Sequence, residues 1–440
     1  MKSVFILIFT LYFPILSVCQ SPVQSGPMVG YADMREALLW IQTTKASKVK
    51  FTYYETTLPG TKYSTDEIMT TKNNAYIAKL VADQVLPGKK YTYEAIINGK
   101  KATFNYPLTF QTLPLWQYRT DPPTFKLAMG SCAYINEERF DRPGKTPYGG
   151  EYEIYKAIYD KKPDLMLWLG DNTYLREADW NTRTGTIHRY THSRSLPEMQ
   201  PLLASCSHYA IWDDHDYGPN DSDRSFAYKN TTQEIFNMFW GNPNTNMTGK
   251  GGITGMFTWV DIDVFLVDDR WFRSPNEKKT LPRDYLGQDQ LTWLIDALRN
   301  SKAPFKLVAC GGQVINPAKI YENYAQYSEE RDQLIKALQD NDIKGVIFLS
   351  GDRHHTEITK MERPGTYPLY DFTISPLNSS GRADIDEGNT MHVQGTIVGE
   401  RNFAIFEVSG TRKERKLTVK VYNSKGDEKW TKEIKADELK

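Results

Sequence analysis

Apolar and polar residues alternate with a period of two through the first part of the chain. Val49-Lys50-Phe51-Thr52-Tyr53-Tyr54 and Lys90-Tyr91-Thr92-Tyr93-Glu94-Ala95-Ile96 read as half-buried strands. Pro87-Gly88 and Asn98-Gly99 punctuate them, the second being a hairpin dipeptide. From about Val29 to Thr112 this spacing predicts an all-β unit, and Leu113-Pro114 to Pro122-Pro123 reads as a linker. From Phe125 the period changes. Short, mostly apolar runs at 125–129, 164–169, 305–309 and 345–349 predict buried strands. They are separated by segments with helical spacing at 151–161, 288–298 and 333–338. Strands return at 403–408, 416–422 and 428–433. Alternating strands and helices of this kind predict an α/β domain.

The chain has 440 residues, more than one ordinary domain holds, and 40% of them are hydrophobic, enough for a sizeable core. Lys+Arg and Asp+Glu each number 54, so no basic balance points to nucleic acid, and no nucleic-acid-binding signature is present. Nothing in the sequence sets an oligomeric state. Lys2 followed by the apolar run Val4 to Leu16 and the small residues Ser17 and Cys19 reads as a signal peptide over 1–19, which predicts a periplasmic or secreted protein. A lipid anchor on Cys19 is the weaker reading, because Val18 is a poor residue just before a lipidated cysteine. No later segment is apolar enough to span a bilayer. Removal of Cys19 leaves Cys132, Cys206 and Cys310, an odd number that excludes a disulfide scaffold; a Cys206–Cys310 bond stays open beside the reading of both as core residues. The run Leu86-Pro87-Gly88-Lys89-Lys90-Tyr91-Thr92-Tyr93 resembles a late strand of fibronectin type III-like modules, so the unit at 27–113 is expected to be a fibronectin III-like β-sandwich.

The chemistry gathers where apolar runs end. Ile211-Trp212-Asp213-Asp214-His215-Asp216 places three carboxylates and an imidazole in four consecutive positions after an apolar stretch. Like charges so close repel unless a cation neutralises them. Leu165 to Leu169 runs into Gly170-Asp171 with Tyr174 three residues on, and Val346 to Leu349 runs into Gly351-Asp352-Arg353-His354. Leu127 to Met129 runs into Gly130-Ser131-Cys132. In open α/β sheets ligands gather outside the carboxyl ends of the strands. Thiolate, phenolate, carboxylate and imidazole together suit a hard, highly charged metal such as ferric iron, and carboxylates alone suit calcium, magnesium or manganese. Taken singly, Cys132 is an inert buried thiol as readily as a ligand, and Tyr174 a packing aromatic. Arg270 and Arg273 could grip phosphate or form structural ion pairs. His188, His192, His208 and His392 are expected to be surface or hydrogen-bonded residues.

Gly130 to Cys132, Gly170 to Tyr174, Trp212 to Asp216 and Gly351 to Glu357 together resemble the PhoD-like metallophosphatases. Asp268-Asp269-Arg270, Leu286-Gly287-Gln288-Asp289-Gln290 with Trp293-Leu294, and Gln313-Val314 add to the resemblance. It implies a calcineurin-like phosphoesterase domain over 124–440, a two-sheet sandwich flanked by helices. It further implies iron held by Cys132, Asp171, Tyr174 and His354, and calcium held partly by Asp171, Asp214 and Asp352, with manganese, magnesium or zinc as alternatives. Asn220, Asp221 and Asp223 are unranked further ligands, and His355 competes with His354. The implied activity is phosphomonoester or phosphodiester hydrolysis. Two cations about 3.5–4 Å apart neutralise the phosphoryl oxygens and acidify a water. His215 is expected to steady the transition state or protonate the leaving oxygen, with Asp216 orienting it. The alternatives are a phospholipase D-like diesterase acting on lipid head groups and a surface binding protein whose metals only staple loops.

Overall fold

The computed structural model describes residues 21–144, 146–382 and 387–440. The leader read at 1–19 lies outside them. Among the described residues the strands form three sheets. In the nine-stranded sheet, the parallel strands Phe125–Gly130, Leu165–Leu169 and Ser207–Ile211 lie side by side. In the first six-stranded sheet, Ile262–Leu266, Phe305–Ala309, Val346–Ser350 and Leu369–Thr373 run parallel. Every residue of Leu165–Leu169, Ser207–Ile211, Phe305–Ala309 and Val346–Ser350 is buried, as strands covered on both faces in parallel sheets are. The two sheets share one hydrophobic core, and Phe372 of one meets Phe406 of the other edge to face at 5.2 Å. Fully burying an aliphatic or aromatic side chain contributes about 1.5–3 kcal/mol.

The sheets come closest at the carboxyl ends of their strands, and two glycines permit it. A Cβ on Gly351 would stand 2.6 Å from the Ser131 Cβ and 2.7 Å from the Leu169 carbonyl oxygen. One on Gly311 would stand 2.5 Å from the Asp213 carboxyl carbon. Any side chain there would push apart the ends on which the acidic residues sit.

The expected helices are present at Ile154–Asp160, Gln288–Asn300 and Ser328–Asp340. The C-terminal strands are Asn402–Ser409, Lys416–Asn423 and Glu428–Lys435, and they extend the nine-stranded sheet at one edge. The N-terminal segment is all-β apart from one short turn of 3-10 helix, Lys72–Asn74. Asn98 and Gly99 both take positive φ and close the hairpin between Lys90–Ile97 and Lys100–Lys101, as that dipeptide predicts. The segment does not hang from its linker as a separate bead, because Val23–Ala32 pairs in parallel with Ser207–Ile211 through Val29 and Ser207. Val23–Ala32, Ala37–Thr43 and Ile77–Ala82 therefore prolong the large sheet. The third sheet, built on Lys48–Glu55 and Lys90–Ile97, covers them through a core that includes Leu39, Ile41, Phe51, Tyr53 and Tyr93. Among the described residues no helix is long and apolar enough to cross a membrane.

Candidate metal centre

The acidic and sulfur residues sit on turns that immediately leave parallel strands. Cys132, Asp171, Asp352 and His354 all have positive φ, at 58°, 52°, 62° and 55°. Side chains other than glycine rarely adopt this region, and such strain concentrates at functional sites. Asp213 ends Ser207–Ile211 as the cap of a one-turn helix, Asp214–Tyr217, its side chain accepting from the Asp214 N–H.

These turns bring most of the expected set together. The Cys132 Sγ is 3.7 Å from Asp171 Oδ2 and also accepts from the Ser375 hydroxyl at 3.2 Å. The Tyr174 hydroxyl donates to the same Asp171 oxygen at 3.1 Å and stands 3.4 Å from His354 Nε2. The other nitrogen of His354 is held by the Ser380 carbonyl at 2.6 Å, which leaves Nε2 directed at the cluster. One donor atom from each of Asp171, Asp214 and His215 lies within 4.8 Å of the others. So do atoms of Asp214, Asp221 and Glu322. Asp171 and Asp214 thus link the pieces.

The electrostatics show groups that the protein alone does not ionise comfortably. Burial pushes the Cys132 thiol up to about 11, and the charge of Asp352 adds to it. Burial and then the Asp214 charge raise the Asp171 carboxyl well above the usual range. Tyr174 is raised by burial and by Asp171. Burial, with Asp214 adding to it against Arg353, lifts Asp352 to about 6. Asp214 departs from this pattern: burial pushes it up, but His215, Arg270 and the Asp221 N–H outweigh that and hold it near 2. Burial lowers His215 to about 4 against the pull of Asp214, so its ring is neutral at pH 7, and its buried Nδ1 has no hydrogen-bond partner. A converging thiol, phenol, carboxylate and imidazole that the protein keeps largely protonated suit a multivalent cation, which displaces their protons.

Some expected members stand elsewhere. Asp352 shares the charge field but belongs to neither three-atom group; its nearest cation is Arg353, 3.9 Å away. Asp216 is fully buried, and its Oδ2 accepts the backbone N–H groups of Asn172 and Asp213 at 3.1 Å each. It braces two site loops and makes no hydrogen bond to His215. The neighbouring histidines are placed differently: His355 is buried beside Glu357, 3.6 Å from its carboxylate, while His354 faces Tyr174. Arg270 holds Asp213 and, at 2.8 Å, Glu322; Arg273 also reaches Glu322, at 3.1 Å. Both are structural ion pairs. Asp268 accepts from the Trp212 indole and donates its own backbone N–H to Gln290 Oε1, so those motif residues brace the site. Cys206 and Cys310 are free and buried, which removes the disulfide alternative. The remaining histidines are hydrogen-bonded, His188 to Glu137, His192 to the Asn136 carbonyl and His392 to the Asn389 carbonyl. Glu322 escaped the sequence reading, since it follows no apolar strand end and no acidic run marks it. Asp221 was visible there but could not be ranked.

The model of the PhoD-like phosphatase family matches residues 127–405, and that of a domain family of unknown function, DUF7800, matches residues 20–114. No curated protein matches the chain. Among solved structures, PhoD superposes with a TM-score of 0.75 at 16% identity, covering 95% of this chain and 93% of its own. A purple acid phosphatase isolated from yellow lupin (Lupinus luteus) seeds superposes with a TM-score of 0.66 at 12% identity, covering 93% of this chain and 74% of its own. At these identities the likeness is one of fold.

Proposed function

The chain belongs to the PhoD-like phosphatase family, and we propose that it is an exported, metal-dependent phosphoesterase acting on phosphomonoesters, phosphodiesters or both. The observation that carries this reading is the meeting of Cys132, Asp171, Tyr174 and His354, drawn from three separate strand ends, within 3.1–3.7 Å contacts. These four would hold a hard ion such as ferric iron. Asp171 and Asp214, with Asp352, Asp221 or Glu322, would hold calcium, manganese, magnesium or zinc. When bound, such cations neutralise phosphoryl oxygens and acidify a water. The chain's own residues do the rest. Asp216 fixes the Asn172 and Asp213 backbone, and thereby the angle between two ligand loops. The rings of Tyr174 and His215 stand 4.3 Å apart, so the phenol that reaches Asp171 also positions the imidazole. His215 presents a neutral ring that donates a hydrogen bond to the reacting phosphoryl group or its leaving oxygen. Export rests on Lys2 and the apolar run after it. The N-terminal unit, fibronectin III-like in its strand alternation, acts as a packing partner for the large sheet.

Elemental analysis of protein purified without chelators, followed by assays on a panel of phosphate mono- and diesters, tests the proposal. Stoichiometric metal and hydrolysis of at least one ester are expected. Bound metal with no hydrolysis of any ester would return the chain to the class of metal-stapled binding proteins.

A further inference from the structure

The anion-gripping role open to Arg270 and Arg273 is filled by neither, since both are committed to carboxylates. A third arginine stands differently. Arg176 is only 5% exposed, yet among the described residues no carboxylate forms an ion pair with it. Its Nε donates to the Tyr134 hydroxyl at 2.9 Å. Its guanidinium carbon lies 4.7 Å from the centre of the Tyr134 ring and 5.6 Å from that of Tyr174. Among the described residues its terminal amines find no hydrogen-bond partner, and they are not among the sealed, unpartnered polar atoms, so they remain open to solvent. A buried guanidinium normally has a carboxylate beside it, because desolvating a lone cation costs several kcal/mol. Here aromatic faces replace the carboxylate, which steadies the cation and leaves its charge unspent.

The location gives that charge a use. Arg176 is two residues beyond Tyr174, whose ring meets His215 and whose hydroxyl meets Asp171. The Arg176 backbone is pinned as well: its N–H donates to Asp179 Oδ2 at 2.9 Å, and Asp179 is itself locked by Arg189 at 2.9 Å. The guanidinium is therefore held in place before any ligand arrives. Its field already reaches the imidazole of His215.

We infer that Arg176 is the substrate-binding arginine of this site, taking the non-bridging oxygens of the phosphoryl group through its two free terminal amines and favouring dianionic phosphomonoesters over monoanionic diesters. The inference rests on the phosphoesterase reading for its substrate, though not for its anion. A planar fork matches two phosphoryl oxygens at once, and the second charge of a monoester strengthens the pair.

The test uses inorganic phosphate, p-nitrophenyl phosphate and bis(p-nitrophenyl) phosphate on the metal-loaded full chain. In Arg176→Gln, metal content and melting temperature should stay at wild-type levels. Phosphate affinity by calorimetry should fall about 100-fold, as for the loss of a buried charge partner. Monoester kcat/KM should fall to a similar extent, mainly through KM, and diester kcat/KM about tenfold or less. Arg176→Lys keeps the charge and loses the fork, so it should recover part of the phosphate affinity; it also serves if the Gln variant does not fold. Wild-type phosphate affinity in either variant would overturn the inference, as would equal losses on the two esters. A wild-type protein that binds phosphate through Arg176 yet hydrolyses neither ester would sink the hydrolase reading and leave the anion grip standing.

Discussion

Two buried clusters of charge lie within a few residues of each other, and they are balanced in different ways. Around Arg270 acids meet bases: Asp213 and Glu322 share that guanidinium, and Arg273 takes the second oxygen of Glu322. The same matching recurs at Arg189, which pairs with Asp179, Glu137 and Asp141. Around Asp171 it fails. Cys132, Asp213, Asp214 and Asp216 crowd one carboxylate with further acids, Tyr174 donates to it, and the nitrogen it accepts from is the His215 backbone N–H rather than a cation. A protein can bury carboxylates either by pairing them internally or by leaving them for a cation; Glu322 and Asp171 show the two outcomes, while burial still raises Asp213 beside Arg270 and neighbouring bases lower Asp214 beside Asp171. Burial is opposed foremost by Arg270 and Arg273 at Glu322, which ends below its ordinary value, whereas Asp171 is driven up by burial and by its own neighbours. The comparison explains how arginines beside a phosphoesterase site need not touch phosphate.

The sharpest way to break the comparison is to remove the acid that joins the metal groups. Asp171→Asn should abolish turnover by at least about 10³-fold and lower metal content, both measured on one preparation; full metal with normal activity would end the case for a shared centre. Next in size is His215→Ala, expected to lower kcat by about 10²–10⁴-fold while metal content holds. Loss of metal in that variant would make the imidazole a ligand, consistent with its place beside Asp171 and Asp214. On the matched side, Arg270→Met should leave Asp213 and Glu322 buried without a partner and cost about 3–5 kcal/mol in a denaturant titration. A smaller loss would mean that these acids can find cations elsewhere.

A final prediction concerns His208, a neutral group matched wholly by the protein, whose effect appears only at acid pH. It accepts from the Trp168 indole at 3.1 Å through Nδ1 and reaches the Leu202 carbonyl at 3.1 Å through Nε2. Burial lowers it to about 3 from 6.5. The unfolded chain therefore binds a proton below pH 6.5 that the folded chain refuses until about pH 3. Its contribution is complete above pH 6.5 and is lost as pH falls through that window, with a slope of about 1.4 kcal/mol per pH unit. In His208→Gln the slope of stability against pH should be lower by about one proton over the same window, and an unchanged slope would refute the assignment.

Much of this could be read from the chain because burial leaves a local signature. Runs such as Leu165–Leu169 and 346–349 are apolar throughout since both faces of a parallel strand are covered, and their ends mark where ligands collect. Asn98-Gly99 fixed its hairpin by the φ values that only such residues adopt readily. Less local facts were hidden. The junction of the N-terminal unit with the large sheet rests on one parallel pairing, Val29 with Ser207, between residues far apart in sequence. Asp216 looked catalytic because it follows His215, but the turn of a short helix points its carboxylate at backbone N–H groups instead.

The sequence by itself marked many of the buried strands, though not Ile262–Leu266 or Leu369–Thr373, and the chemical groups at the ends of those it marked, because periodicity and turn chemistry act between neighbours. Only the tertiary structure decided which of those groups share a space. It placed His354 apart from His355, brought in Glu322, committed Arg270 and Arg273 to carboxylates, and left Arg176 buried without one. Charge pairing is settled by distance in space, and two sheets folded face to face set those distances between residues that the chain keeps far apart.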